Sequence, residues 1–285
     1  MDQVYLNGTY TPLSEACVPV LDRGFLFGDG VYEVIPVYSG KPFRVDQHLD
    51  RLERSLEGIR IANPMSREQW HRVIDELIER NTGDQDAALY LQITRGVMPR
   101  RDHGFGDDLE PTVLLTCQPM HYPSQAADTP GGRAITLEDS RWQDCHIKSI
   151  NLLPNVLLRQ QALDAGADEA ILIRDGRAIE GSASNLFIVK DEVIKTPPRQ
   201  RCMLGGITRD LILELCADNH LLAREIDISE DELHDADEIW MTSSTREILP
   251  ITVLNQHKVG RGETGALWRE VIRLYQEYKQ QVMRS

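Results

Sequence analysis

Lys148 lies in the run Cys145-His-Ile-Lys-Ser-Ile-Asn-Leu-Leu153, an apolar setting for a cation. Against apolar surface an ammonium loses the solvation that favours its charged form, and the free amine can then attack a carbonyl. A lysine whose stem covers core while its amine reaches water is the commoner case, and it fits the same run. Glu180 lies in Ala178-Ile-Glu-Gly-Ser-Ala-Ser-Asn-Leu-Phe187. A carboxylate at the end of an apolar strand reads as a buried charge that needs a partner. A salt-bridged or half-exposed glutamate is again the commoner case. Two further places could hold an anion. Gly205-Gly-Ile-Thr208 opens a helical pattern, where glycines let a ligand approach and free N–H groups attract phosphate. Thr242-Ser-Ser-Thr-Arg-Glu247 follows a strand and offers clustered hydroxyls. Taken singly, each is also what an ordinary helix cap looks like.

Other chemistries leave no trace. There is no G-x-x-x-x-G-K-[ST], and Gly28-Asp-Gly30 meets Glu33 where a dinucleotide fingerprint needs its third glycine. Gly181-Ser-Ala-Ser-Asn185 is not a nucleophile elbow. H-E-x-x-H does not occur, and no metal site is expected.

The elements that must carry these residues can be read from periodicity. Val4 to Leu6 runs into Asn7-Gly8, a hairpin signal. Val31 to Tyr38 is rich in β-branched and aromatic residues and ends at Ser39-Gly40. A helix fits Asp46 to Arg60, with Leu49, Leu52, Leu56 and Ile59 as its stripe and Asp46 as its cap. On that wheel Arg51 falls about 120° from the stripe and reads as a solvated surface arginine. Ser66-Arg-Glu-Gln69 is a capping box ahead of Trp70, Val73, Ile74, Leu77 and Ile78. Strands fit Ala87 to Arg95, Thr112 to Cys117, Ala134 to Leu137, Asn185 to Val189 and Glu238 to Thr242. Helices fit Asn155 to Ala165, Ile207 to Asn219 and Ala266 to Val282, and a hairpin turns at Asp175-Gly176. Residues 119–132, rich in proline and glycine, read as a linker between residues 1–118 and 133–285. Hairpins outnumber βαβ units, so the chain reads as two α+β domains rather than one parallel sheet.

Composition narrows the function further. With 31 Lys+Arg against 45 Asp+Glu among 285 residues, the net charge is −14. Such a chain is a poor general nucleic-acid binder, though a local basic pocket for a small anion is compatible with it. No signal peptide or membrane span is evident. The five scattered cysteines form no C-x-x-C pair and read as idle thiols of a reducing cytoplasm.

Taken in order, six blocks resemble one family. They are Asp22-Arg-Gly-Phe-Leu-Phe-Gly-Asp-Gly-Val-Tyr-Glu33, His48-Leu-Asp-Arg51, Arg141-Trp142 leading to Ile147-Lys-Ser149, Glu180-Gly-Ser-Ala-Ser-Asn185, Gly206-Ile-Thr-Arg-Asp210 and Thr242-Ser-Ser-Thr-Arg-Glu247. The chain is similar over nearly its whole length to the fold type IV pyridoxal-phosphate aminotransferases. That group holds D-amino acid and branched-chain aminotransferases and aminodeoxychorismate lyase. The resemblance implies a two-domain α+β enzyme, pyridoxal 5′-phosphate as cofactor, and a homodimer.

By the same resemblance, Lys148 forms the Schiff base with the cofactor and moves the proton between substrate Cα and C4′. Glu180 pairs with the pyridine nitrogen. Arg51, Ile207, Thr208, Ser243 and Ser244 bind the phosphate, which overturns the surface reading of Arg51. Tyr32 is the active-site tyrosine near the lysine and the substrate carboxylate. The D-amino acid branch carries an Arg-x-His pair that grips this carboxylate, and Arg101-Asp-His103 matches it, with Arg100 adjacent and Gly106 where a proline is usual. The implied reaction moves the amino group of a D-amino acid, D-alanine first, to a 2-oxo acid such as 2-oxoglutarate. A branched-chain L-aminotransferase is the main alternative, a lyase using the same cofactor chemistry a more distant one. Outside enzymes, an acidic binding protein with a structural lysine is the rival.

Overall fold

Asn7 and Gly8 adopt φ of 47° and 92°, the left-handed values that a two-residue hairpin turn demands. They join β1 (Gln3–Leu6) to β2 (Thr9–Pro12). The computed structural model describes residues 2–106, 108–122 and 129–283. Part of the expected linker, 123–128, lies outside the described residues. The described residues divide into two compact units. One holds 2–106, 108–122 and 147–152, the other 129–146 and 153–283. Among the described residues, no helix is long and apolar enough to cross a membrane.

The first unit is built on an antiparallel sheet ordered β2-β1-β6-β5-β3-β4. Its other strands are β3 (Gly30–Tyr38), β4 (Lys41–Pro42), β5 (Ala87–Thr94) and β6 (Thr112–Pro119). A short helix, α1 (Arg23–Phe27), precedes β3. Two amphipathic helices, α2 (Val45–Gly58) and α3 (Arg67–Asn81), cover the sheet. Leu52, Leu56, Trp70, Ile74 and Leu77 are buried between helices and sheet. Truncating one of them, Leu52→Ala, would cost about 2–5 kcal/mol.

The capping box of α3 forms as expected. Ser66 Oγ accepts from Gln69 N–H, and Gln69 Oε1 accepts from Ser66 N–H. The expected cap of α2 does not form. Arg44, at φ 48°, is the N-cap and makes no side-chain cap. Asp46 falls inside the first turn, where its charge still favours the helix dipole, and its carboxylate goes to Arg67 and His71.

The second unit has a mixed sheet, mostly antiparallel, in keeping with the α+β reading rather than one parallel sheet. Its strands are β7 (Gly132–Glu138), β8 (Glu169–Arg174), β9 (Arg177–Gly181), β10 (Asn185–Lys190), β11 (Val193–Thr196), β12 (Ala223–Glu225), β13 (Ile228–Ser229), β14 (Glu238–Ser243), β15 (Glu247–Leu254) and β16 (His257–Lys258). The order is β12-β11-β10-β14-β15-β7-β8-β9-β13, with β16 on β15. β7 runs parallel to β8 and to β15. The link from β7 to β8 contains α4 (Leu153–Asp164), because parallel neighbours need a long crossover. α5 (Ile207–Asp218), α6 (Glu230–His234) and α7 (Ala266–Val282) complete the unit.

Candidate active site

Lys148 belongs with the first unit, although the expected boundary assigns it to the second half of the chain. Backbone pairing is the reason. Tyr32 N–H donates to Lys148 C=O at 3.0 Å, and Ile150 N–H donates to Gly30 C=O at 3.0 Å. These bonds lay Ile147–Leu152 antiparallel along the open side of β3, bridging Val31 to Ser149. Lys148 N–H also donates to Ser55 Oγ on α2, at 3.2 Å. The amine ends 4.2 Å from the centre of the Tyr32 ring and has no ion pair among the described residues. Tyr32 in turn lies beside Tyr90, whose hydroxyl is pushed up to about 12 by burial and by its tyrosine neighbour.

Arg51 is buried, contrary to the helix-wheel reading. α2 buries two faces. Leu49, Leu52 and Leu56 form the apolar one, while His48, Arg51 and Ser55 form a polar one beside it. The partner of that polar face is Glu33, fully buried on β3. Arg51 Nε and Nη2 donate to the two Glu33 oxygens at 2.8 and 2.7 Å, and His48 Nδ1 lies 2.8 Å from Glu33 Oε2. Burial alone would raise the Glu33 carboxyl, but the charge and hydrogen bonds of Arg51 and His48 outweigh it and hold Glu33 far below the usual carboxylate range. His48 is lowered, chiefly by burial. Glu33 and His48 were not among the expected site residues. A lone acid in a β-branched run, and polar residues spaced 48, 51, 55 on one helix, were the available signals.

In the second unit Glu180 is buried near the end of β9. Arg141 Nη1 donates to Glu180 Oε1 at 2.6 Å, and Arg141 is itself gripped by Asp139 through Nε and Nη2, both at 2.9 Å. Asn185 Nδ2 and Leu204 N–H each donate to Glu180 Oε2 at 3.2 Å. Burial pushes the Glu180 carboxyl up, while Arg141 and the Leu204 N–H pull it back.

Gly206 is the N-cap of α5 and gives no side-chain cap, so Ile207 and Thr208 open the helix with amides no side chain covers. A Cβ on Gly206 would lie 2.0 Å from Asn185 Oδ1, which is why the approach requires glycine. β14 packs against α5, and the buried Thr242 hydroxyl on β14 has no hydrogen-bond partner among the described residues. Beyond it Ser243 Oγ accepts from Arg246 N–H at 3.2 Å, and Ser244 is half-buried. This turn ends at Glu247, held at φ 57°. Its carboxylate is bound by Lys279 and by Gln276 Nε2, the latter at 2.7 Å.

Arg100, Arg101 and His103 fall in the exposed stretch between β5 and β6. The Arg101 guanidinium lies 4.8 Å, and the His103 ring 5.3 Å, from the Phe27 ring of α1. Arg100 shares neither contact among the described interactions.

Residues 30–254 match the amino-transferase class IV family, and the chain belongs to it. It is an aminotransferase, and its cofactor is pyridoxal 5′-phosphate. D-alanine aminotransferase of Bacillus licheniformis is 42% identical over 269 residues, 94% of each chain. Among solved structures, Escherichia coli branched-chain amino acid aminotransferase is 26% identical with a TM-score of 0.90, covering 97% of this chain and 94% of that one. The branched-chain aminotransferase of Thermoproteus uzoniensis, solved with norvaline, is also 26% identical, with a TM-score of 0.88 over 99% of this chain and 95% of that one.

The residues fit that cofactor. An open helix start and an orphaned buried hydroxyl are a donor set without an acceptor, which a phosphate dianion would satisfy. A carboxyl raised by burial beside one arginine gains from a second cation, which a protonated pyridine nitrogen provides.

Proposed function

We propose that this aminotransferase takes the amino group of a D-amino acid, D-alanine foremost, and delivers it to a 2-oxo acid such as 2-oxoglutarate. The carrying observation is the Arg100-Arg-Asp-His103 segment, two guanidiniums and an imidazole on one short loop, with Arg101 and His103 sharing one aromatic neighbour. The 42% identity to a D-alanine aminotransferase supports the same reading.

Bound pyridoxal phosphate supplies an aldehyde carbon for the substrate amine and a ring that draws electrons from Cα. Lys148 holds the cofactor at its amine and moves the proton between substrate Cα and cofactor C4′. Tyr32, whose ring faces that amine, orients it. Glu180 holds a proton at the pyridine nitrogen, steadied by Arg141 and Asn185. The N–H groups of Ile207 and Thr208, the hydroxyls of Ser243 and Ser244, and the Arg51 guanidinium hold the phosphate. Arg101, with His103, takes the α-carboxylate through paired charge-assisted bonds, so that Cα–H is aimed at Lys148. In this reading the enzyme works in the cytoplasm as a homodimer.

The test is a transamination assay with 2-oxoglutarate, comparing D-alanine with L-alanine, L-leucine and L-valine. D-alanine is expected to be the preferred donor. Preference for L-leucine or L-valine would put the branched-chain reading in its place. Arg101→Ala is expected to lower kcat/KM for D-alanine by roughly 10- to 150-fold with cofactor absorbance intact. A larger loss in Arg100→Ala would move the clamp by one residue.

A further inference from the structure

The loop that carries Arg101 and His103 is exposed and has neither helix nor strand, yet its backbone is tied to a buried charge. Arg23, 3% exposed, opens α1. Its Nη1 donates to the carbonyls of Asp102 at 2.6 Å and Gly104 at 3.3 Å, and its Nη2 to that of His103 at 3.1 Å. Three consecutive carbonyls therefore converge on one guanidinium. The third nitrogen, Nε, donates to Asp29 Oδ2 at 2.8 Å. Asp29 also binds Arg95, whose guanidinium lies 3.6 Å from the Phe105 ring at the far end of the loop.

The platform under Arg23 is itself fixed. Asp22 caps α1 by accepting from Gly24 N–H at 2.8 Å. Its other oxygen accepts from the hydroxyls of Thr94 and Thr112, at 3.0 and 2.7 Å, at the end of β5 and the start of β6. The same five-residue helix supplies Phe27, against which both Arg101 and His103 lie. Arg23 and Phe27 share one face of α1, the guanidinium 4.8 Å from the ring centre, so the same face holds the loop's backbone and meets its two clamp side chains.

We infer that Arg23 is a positioning residue for substrate binding: by fixing the carbonyls of residues 102–104 it sets where Arg101 and His103 present their donors. Only a planar fork can serve three acceptors and a carboxylate together. A lysine would keep the charge and lose the fork. The inference rests on the D-amino acid reading above, in which this loop grips the substrate carboxylate.

The experiment compares Arg23→Lys, Phe27→Leu and Arg101→Ala as holoenzymes with the unaltered enzyme. Arg23→Lys is expected to raise KM for D-alanine about tenfold or more, with kcat within about twofold and the cofactor spectrum unchanged. Amide hydrogen exchange in a peptide spanning 98–106 is expected to quicken in Arg23→Lys and not in Arg101→Ala, a readout independent of turnover. An unchanged KM in Arg23→Lys, while Arg101→Ala raises it, overturns the role of Arg23 and leaves the substrate reading standing. Should Arg101→Ala and Arg100→Ala both leave KM unchanged, the substrate reading itself falls. If Arg23→Lys does not fold, Phe27→Leu decides, since it leaves the Arg23–Asp29 pair in place. A raised KM at constant kcat supports the platform, and an unchanged KM removes it.

Discussion

Arg51 and Glu33 form a two-pronged ion pair in which the carboxylate has no contact with water and the guanidinium almost none. A charge taken out of water is stabilised only by partners with fixed geometry. Glu33 on β3 supplies that geometry, and it fixes how the guanidinium of Arg51 is turned.

Glu33→Gln keeps the shape and removes the charge. Breaking a buried pair from one side typically costs about 3–5 kcal/mol. The variant is expected to unfold at lower denaturant and to lose cofactor faster on dialysis, because Arg51 is no longer steered. Cofactor retention equal to that of the unaltered enzyme would separate Arg51 from phosphate binding.

The same cluster sets a pH dependence. Burial holds His48 below its ordinary 6.5, so the folded chain resists a proton that the unfolded chain accepts. Stability from this source is present above about pH 6.5 and is lost as pH falls toward the folded value. Glu33, held below its ordinary 4.5, adds a loss of the same sign at lower pH. The thermal midpoint is therefore expected to fall between about pH 7 and pH 5 more steeply than in His48→Gln. Parallel curves would show that His48 does not titrate as argued.

Lys148→Ala is expected to fold, to lose covalent cofactor, and to turn over several orders of magnitude more slowly. After borohydride reduction of the unaltered enzyme, mass spectrometry is expected to find the cofactor adduct on Lys148. An adduct on Lys41, Lys190 or Lys195 would contradict the assignment.

In the proposed role, Glu180→Gln removes a charge expected to contribute about 1.5–3 kcal/mol through a bond to the ring nitrogen. Single-turnover kinetics are expected to show Cα proton removal slowed much more than cofactor binding is weakened. An unchanged half-reaction rate would make Glu180 structural.

Much of this arrangement was legible in the sequence. The Asn7-Gly8 turn, the Ser66 capping box and the span of α7 follow from local chemistry, and the structure has them where the pattern puts them. What was not legible depends on distant partners. The helix wheel sent Arg51 to the surface because a wheel knows one apolar stripe, whereas α2 has a second, polar buried face that exists only because Glu33 lies opposite. Asp46 looked like a cap because caps are local, but Arg67 and His71, some twenty residues on, compete for its oxygens. The parallel pairing of β7 with both neighbours is likewise invisible to short-range signals. Arg23 lies in the first of the family-like blocks, but its hold on the loop is not legible there, since beyond Asp29 its partners are three carbonyls and carbonyls leave no mark in a sequence.

The excursion of Ile147–Leu152 bears on how the polypeptide matures as it is made. Synthesis delivers β1 through β6 first, but the open side of β3 at Gly30–Tyr32 waits for residues 148–150. Until the ribosome has released that segment, the nascent sheet exposes unpaired backbone groups, the kind of margin that recruits foreign strands. A fragment ending at Tyr122 inherits this exposure permanently. The amine of Lys148 and the strand-like closure along Gly30–Tyr32 thus arrive in a single stretch of chain, so a molecule with Lys148 in place has also covered this part of its edge.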